Sequence, residues 1–217
     1  MDFEWDLFVD SLPTLARGAL TTAELAASSI GIGLVIGLAG GLARVSGIAA
    51  LNAAAILYVT LLRGVPLLVT LLFFYYGLPS LGLLLEAKVV AILALALTNG
   101  AYVTEIVRAG INAIDRGQMR AARSLGMGWG LAMRRIVLPQ ALRRVLPPIG
   151  NEAITLLKNT ALVSVIAIPD LLRAGTDIMT WQANTFSPFA GVALMYLAMT
   201  LPLVWLVARL ESRWRVA

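Results

Sequence analysis

The chain has no cysteine and no histidine, and only 13% of its 217 residues are charged. Without cysteine there is no disulfide framework and no thiol nucleophile; without histidine there is no imidazole base, and the commonest metal ligand is missing. It also has no Gly-x-x-x-x-Gly-Lys-[Ser/Thr] phosphate loop, so it is not expected to hydrolyse ATP alone. The start, Met1-Asp2-Phe3-Glu4-Trp5-Asp6, lacks the basic head of a signal peptide, and the first apolar run is expected to remain as a span. Hydrophobic residues, by contrast, make up 59% of the chain. Soluble domains are near half apolar and a quarter charged, so composition points to an integral all-α membrane protein. The length accommodates roughly five or six spans of about 20 residues.

Five apolar segments stand out, near residues 18–42, 49–78, 87–107, 149–168 and 186–208. The second is longer than a span requires, which implies tilt, an interfacial start or a kink at Pro66. Cations mark one side of the membrane. Arg44 follows the first segment; Arg108, Arg116, Arg120, Arg123, Arg134, Arg135, Arg143 and Arg144 lie between the third and fourth; Arg209, Arg213 and Arg215 follow the fifth. The opposite side carries Asp2, Glu4, Asp6, Asp10, Glu86, Asp170 and Asp177, with only Arg17, Lys88 and Arg173 as cations. The positive-inside rule then places the N-terminus outside and the C-terminus in the cytoplasm, as an odd number of spans requires. Gly33, Gly37 and Gly41 form a small-residue stripe on the first span. It reads first as close packing within the chain and second as a contact between copies.

The long basic connection carries its own pattern. Residues 118–125 contain no Gly or Pro and bring Ala121, Ala122 and Leu125 within one turn as a small apolar face. Gly126 and Gly128 are expected to end that helix, and a second amphipathic piece, 129–138, to stop at Pro139, which has no amide hydrogen to donate. From these features alone, a basic helix lying on anionic headgroups and a knob that docks a cytoplasmic partner are equally good readings.

The residues themselves decide between the two. Ala121-Ala122, Gly126, Ile136 and Leu138-Pro139 resemble the signature loop of bacterial ABC importer permeases. The runs from Glu105 to Ile111, Gly117-Gln118, Leu138 to Arg143, and Leu157-Lys158-Asn159-Thr160 are similar to the polar amino acid uptake branch, as is Arg63-Gly64-Val65-Pro66-Leu67-Leu68-Val69. The resemblance covers residues 12–213 of a single transmembrane domain, with a coupling loop over 108–146. The chain departs from the family pattern at Arg120, where Glu is usual, so a salt bridge made by that Glu does not carry over. It also departs at Val65, Thr70 and Ala161, where Thr, Gln and Ser are common.

The resemblance implies a type I importer permease of the bacterial inner membrane, its loop helix docked on a cytoplasmic ATP-binding subunit. A second permease subunit, the same or related, and an extracytoplasmic solute-binding protein complete the implied complex. ATP and magnesium belong to the ATPase; no cofactor or metal is expected in this chain, and no nucleic-acid partner. The resemblance makes Ala121, Ala122, Leu125 and Gly126 the coupling residues, Gly126 for a turn that bulkier residues would distort. Arg63, Thr70, Asn99, Glu105, Glu152 and Lys158 are the candidate pathway or ion-pair residues, because polar groups within spans must pair, snorkel or face a wet cavity. Together they offer the donor and acceptor clusters that a zwitterionic amino acid needs. Tyr75 and Tyr76 read as part of an interfacial aromatic belt. An ATP-independent channel or secondary carrier for small polar solutes is the alternative. A carrier usually shows repeated halves, and none is visible. A membrane enzyme lacks the residues for a catalytic constellation, and the loop motifs speak against a purely structural scaffold.

Overall fold

The computed structural model describes residues 3–214; Asp2 and Arg215, which entered the charge argument, lie outside the described residues. The first helix, α1 (Trp5–Val45), has 41 residues and would be about 60 Å long, roughly twice the hydrocarbon thickness of a bilayer. The apolar run begins at Gly18, yet the helix begins thirteen residues earlier, because tertiary contacts hold its polar start. Leu15 is fully buried in a cluster with Leu171, Ala174 and Val192, and Glu4 accepts a hydrogen bond from Asn184 Nδ2 at 2.8 Å.

The glycine stripe packs within the chain. Cβ atoms added at Gly33, Gly37 and Gly41 would collide with Asn99, Val103 and Val107 of α5 (Ala87–Asn112). The matched four-residue steps, ascending together, show that α1 and α5 run in the same direction with their backbones pressed close. The chain between them must therefore cross back once.

That return is broken rather than tilted. α2 (Ala49–Gly64) and the helical stretch from Leu67 to Ser80 meet at 102°. The cause is local: Val65, preceding proline, is extended at φ −107°, ψ 132°, and Pro66 has no amide hydrogen to continue a helix. Beyond it, α3 (Leu67–Leu72) widens into a π-turn at Phe73–Gly77 and closes as α4 (Leu78–Ser80).

α5 continues to Asn112, past the expected end of the third apolar segment near residue 107, and the basic connection follows. It comprises α6 (Arg116–Ser124), α7 (Trp129–Ala132) and a second π-turn at Met133–Val137, which leads directly into α8 (Leu138–Asn159). The expected stop at Pro139 is thus corrected: the helix passes through it, and through Pro147 and Pro148 as well. In both π-turns a proline stands two residues past the end, Pro79 in one case and Pro139 in the other. The wider turn separates the pyrrolidine ring from the carbonyl it would otherwise strike.

The crossing begun by α8 ends in a 3-10 turn, Thr160–Ile166. Then α9 (Leu171–Gln182), N-capped by the buried Asp170, bends 49° away and α10 (Phe186–Trp214) closes the bundle. Val192 meets Leu15 near the start of α1, whereas Val207 lies against Gly150, so α10 runs back toward the loop end. Among the described residues three helices are long and apolar enough to cross a membrane, or five if each bent pair is one span. Leu20, Val35, Leu57, Leu201 and Trp205 are among the large apolar side chains left exposed around the bundle, as suits a protein solvated by lipid.

Candidate functional site

The break at Val65-Pro66 opens a cavity of about 350 Å³ between α2, α5 and α8. Arg63 comes to it from the last turn of α2. Thr98 and Tyr102 come from α5, one turn apart, and Glu152, Thr155 and Asn159 from α8 at steps of three and four, which share one helix face. The Arg63 guanidinium sits 4.9 Å from the centre of the Tyr102 ring, a cation–π arrangement that holds it at the rim. Buried Asn99 donates from Nδ2 to Glu152 Oε1 at 3.4 Å and fixes the carboxylate from behind. Arg63 and Glu152 line the same cavity without pairing with each other. The hydroxyl of Thr98 is buried with no hydrogen-bond partner. A separate cation and carboxylate around one space are suited to holding a small zwitterion.

The other pathway candidates go elsewhere. Glu105 receives Arg108 at 2.8 Å and Arg44 at 3.5 Å, and Arg44 also donates to Asn52 Oδ1 at 2.6 Å. These contacts join α1, α2 and α5 in an internal ion-pair network near the loop end. Thr70 is buried, its hydroxyl turned to the Pro66 carbonyl at 3.5 Å, beside an apolar pocket with Val69 and Phe73. Lys158 is exposed in the last turn of α8, where a cation suits the helix dipole, and is not part of the cavity wall. Sequence reading missed Thr98, Tyr102, Thr155 and Asn159. Their signal was present, as polar positions in helical register with Glu152 or with each other.

In the loop, Asp115 caps α6 by accepting from the Gly117 amide. At the far end Met127 N donates to Ala122 O at 3.2 Å and Gly126 N to Arg123 O at 3.0 Å, the paired bonds of a Schellman termination. Gly126 has φ +82°, and no atom lies within 4 Å of where its Cβ would be. The turn expected at Gly126 therefore rests on its left-handed backbone, not on crowding by neighbouring atoms. The alanine pair is divided. Ala121 and Leu125 are exposed, Leu125 at 80%, but Ala122 is only 4% exposed and packs into the chain. Its small size serves this internal contact, so it does not form part of an outward face. Gln140 Nε2 donates to Gln118 Oε1 at 3.3 Å and Arg144 Nη1 to Ala113 O at 2.7 Å, tying the loop to α8.

Comparison with known proteins agrees with this architecture. Residues 29–216 match the family model described as binding-protein-dependent transport system inner membrane component. The glutamine transport system permease protein GlnP of Escherichia coli is 34% identical over 218 residues, covering 100% of both chains. The arginine transport system permease protein ArtQ of Bacillus subtilis is 35% identical over 214 residues, 98% of each. A crystal structure of an amino acid ABC transporter with histidines superposes with a TM-score of 0.92 at 39% identity, covering 98% of this chain and 100% of that one. With the family model spanning most of the chain and two full-length relatives above 30% identity, the chain belongs to the family of binding-protein-dependent transport system inner membrane components.

Proposed function

We propose that this chain is the permease subunit of an ATP-driven importer and that it carries a polar amino acid through the cavity bounded by Arg63 and Glu152. The observation that supports this most is the unpaired cation and carboxylate on one 350 Å³ space at a helix break. There Arg63 receives the solute carboxylate and Glu152, held by Asn99, receives its ammonium group. Arg63 and Tyr102 leave the cavity open on one flank, where a second permease subunit would complete the pathway. The α6 helix, with Ala121 and Leu125 outward and Gly126 setting the turn, is the contact for a cytoplasmic ATP-binding subunit that supplies ATP and magnesium chemistry. A solute-binding protein delivers substrate at the other end. The arginine distribution supports an outside N-terminus and a cytoplasmic C-terminus in the inner membrane. The names of relatives, which concern glutamine and arginine, support the substrate class.

The test is uptake of labelled amino acids into proteoliposomes holding this chain with its ATP-binding partner and binding protein. Accumulation is expected only when ATP is present. Uptake that continues after ATP is exhausted would overturn the reading and favour the channel or carrier.

A further inference from the structure

Apart from the central cavity, a groove of about 440 Å³ runs along α1, α5 and α8 close to the loop. Leu38, Leu42, Val107, Ile111, Leu138 and Leu142 line it, and hydrocarbon forms nearly its whole wall. Leu38, Leu42 and Leu142 are 40%, 45% and 53% exposed, so the groove is open at the protein surface. Being apolar, it offers nothing to a polar solute.

Its two ends differ. The end formed by Leu42, Ile111 and Leu138 faces the loop, and there the cations gather. Arg134 and Arg135 precede Leu138 and Pro139 by one turn, and Arg143 follows Pro139 by one turn on the same face. All three are exposed, and none has an ion pair or hydrogen bond among the described residues. Between Arg116 and Asn151 the chain has seven arginines and no Asp or Glu to neutralise them. The opposite end of the groove, at Leu38, Val107 and Val145, leads away from the loop along the apolar flank.

We propose that this groove binds an anionic phospholipid of the loop-side leaflet. An acyl chain lies along Leu38, Leu42, Leu138 and Leu142, and the phosphate meets Arg134 and Arg135, with Arg143 beside them. The match is one of direction as well as chemistry, since a lipid in that leaflet has its head toward the loop and its tail toward the bilayer centre. Arginine suits the task because its planar fork donates two hydrogen bonds to a phosphate. A second copy of the chain is a poorer occupant, because at this end it brings the same excess of arginine. The site is independent of which solute the chain transports.

Native mass spectrometry of the purified full chain tests the proposal, after incubation with phosphatidylglycerol or with phosphatidylcholine of identical acyl chains. The expected result is phosphatidylglycerol retained about tenfold more, the scale of one charge-assisted phosphate contact. The preference should vanish in Arg134→Ala/Arg135→Ala and persist in Arg134→Lys/Arg135→Lys, while Leu142→Trp, which fills the groove, should lose both lipids. Glycerol phosphate should not compete; if it does, the site holds a free phosphate and the lipid assignment fails. Equal retention of the two lipids, or a preference that survives both the alanine pair and Leu142→Trp, would also overturn it. Should the alanine pair fail to fold, the lysine pair and Leu142→Trp decide. The chain has no cysteine, so Leu142→Cys supplies a single thiol. Efficient disulfide formation between copies there would show that protein covers the groove, again overturning the proposal.

Discussion

At the scale of single residues, two carboxylates in neighbouring helices have opposite duties. Glu105 is enclosed by Arg108 and Arg44, so Glu105→Gln leaves two partly buried guanidinium groups without their counter-charge. A loss of about 1–3 kcal/mol in stability is expected, seen as a lower melting temperature of the detergent-purified chain. Glu152 has a neutral partner, Asn99, so Glu152→Gln should keep the melting temperature. It should raise the KM for uptake by about tenfold or more, through loss of one charge-assisted bond to the solute. If both variants change only stability, Glu152 is structural and the cavity is not the solute site. Gly126 gives a third test. Left-handed backbone costs roughly 1 kcal/mol for most residues and less for Asn, and the space around Gly126 is open. Gly126→Asn should therefore retain ATP-coupled uptake better than Gly126→Val, despite its polar side chain. The reverse order would mean that chemistry at the docking face matters more than backbone conformation.

At the scale of elements, the break after α2 is the feature on which the cavity depends. Pro66→Ala restores an amide hydrogen and releases Val65 from its extended conformation. The expected outcome is a chain that still purifies in normal yield but takes up solute much more slowly, because Arg63 turns away as the two helical pieces realign. Normal uptake in this variant would show that packing against α5, and not the proline, holds the bend. Much of the element pattern was legible in advance. Long apolar runs, the proline at the second span and the glycine stripe all have local causes. The through-going helix at Pro139 was not legible, because a π-turn exists only where neighbouring packing holds the wider geometry. Here Ala132, just before it, and Val137, its last residue, are buried. The early start of α1 was hidden for a similar reason: residues 5–17 are too polar to signal a span, and partners from α9 and α10 give them their helix.

At the scale of the whole molecule, counting each bent pair as one span gives five crossings among the described residues, and with the arginine excess this supports the proposed orientation, with the start of α1 outside and the end of α10 cytoplasmic. With no native thiol to interfere, Trp5→Cys should react with a membrane-impermeant maleimide on intact cells or spheroplasts. Ser212→Cys should react only after the membrane is permeabilised. Labelling in the opposite sense would reverse the orientation and remove the α6 surface from the reach of a cytoplasmic ATPase.

Composition, charge sidedness and motif spacing depend on the order of residues alone. They were therefore enough to show that the chain is an all-α membrane protein, where its apolar segments lie, and which family its loop resembles. Burial and pairing depend on which helix faces which, and those the tertiary structure decided. It enclosed Glu105 between two arginines while leaving Glu152 on a cavity with Arg63. It turned Ala122 inward and Ala121 outward, and it carried α8 through a proline that reads as a stop. The physical reason is the same in each case: a polar or proline residue in a span has several satisfactory partners, and only the packed neighbours select one.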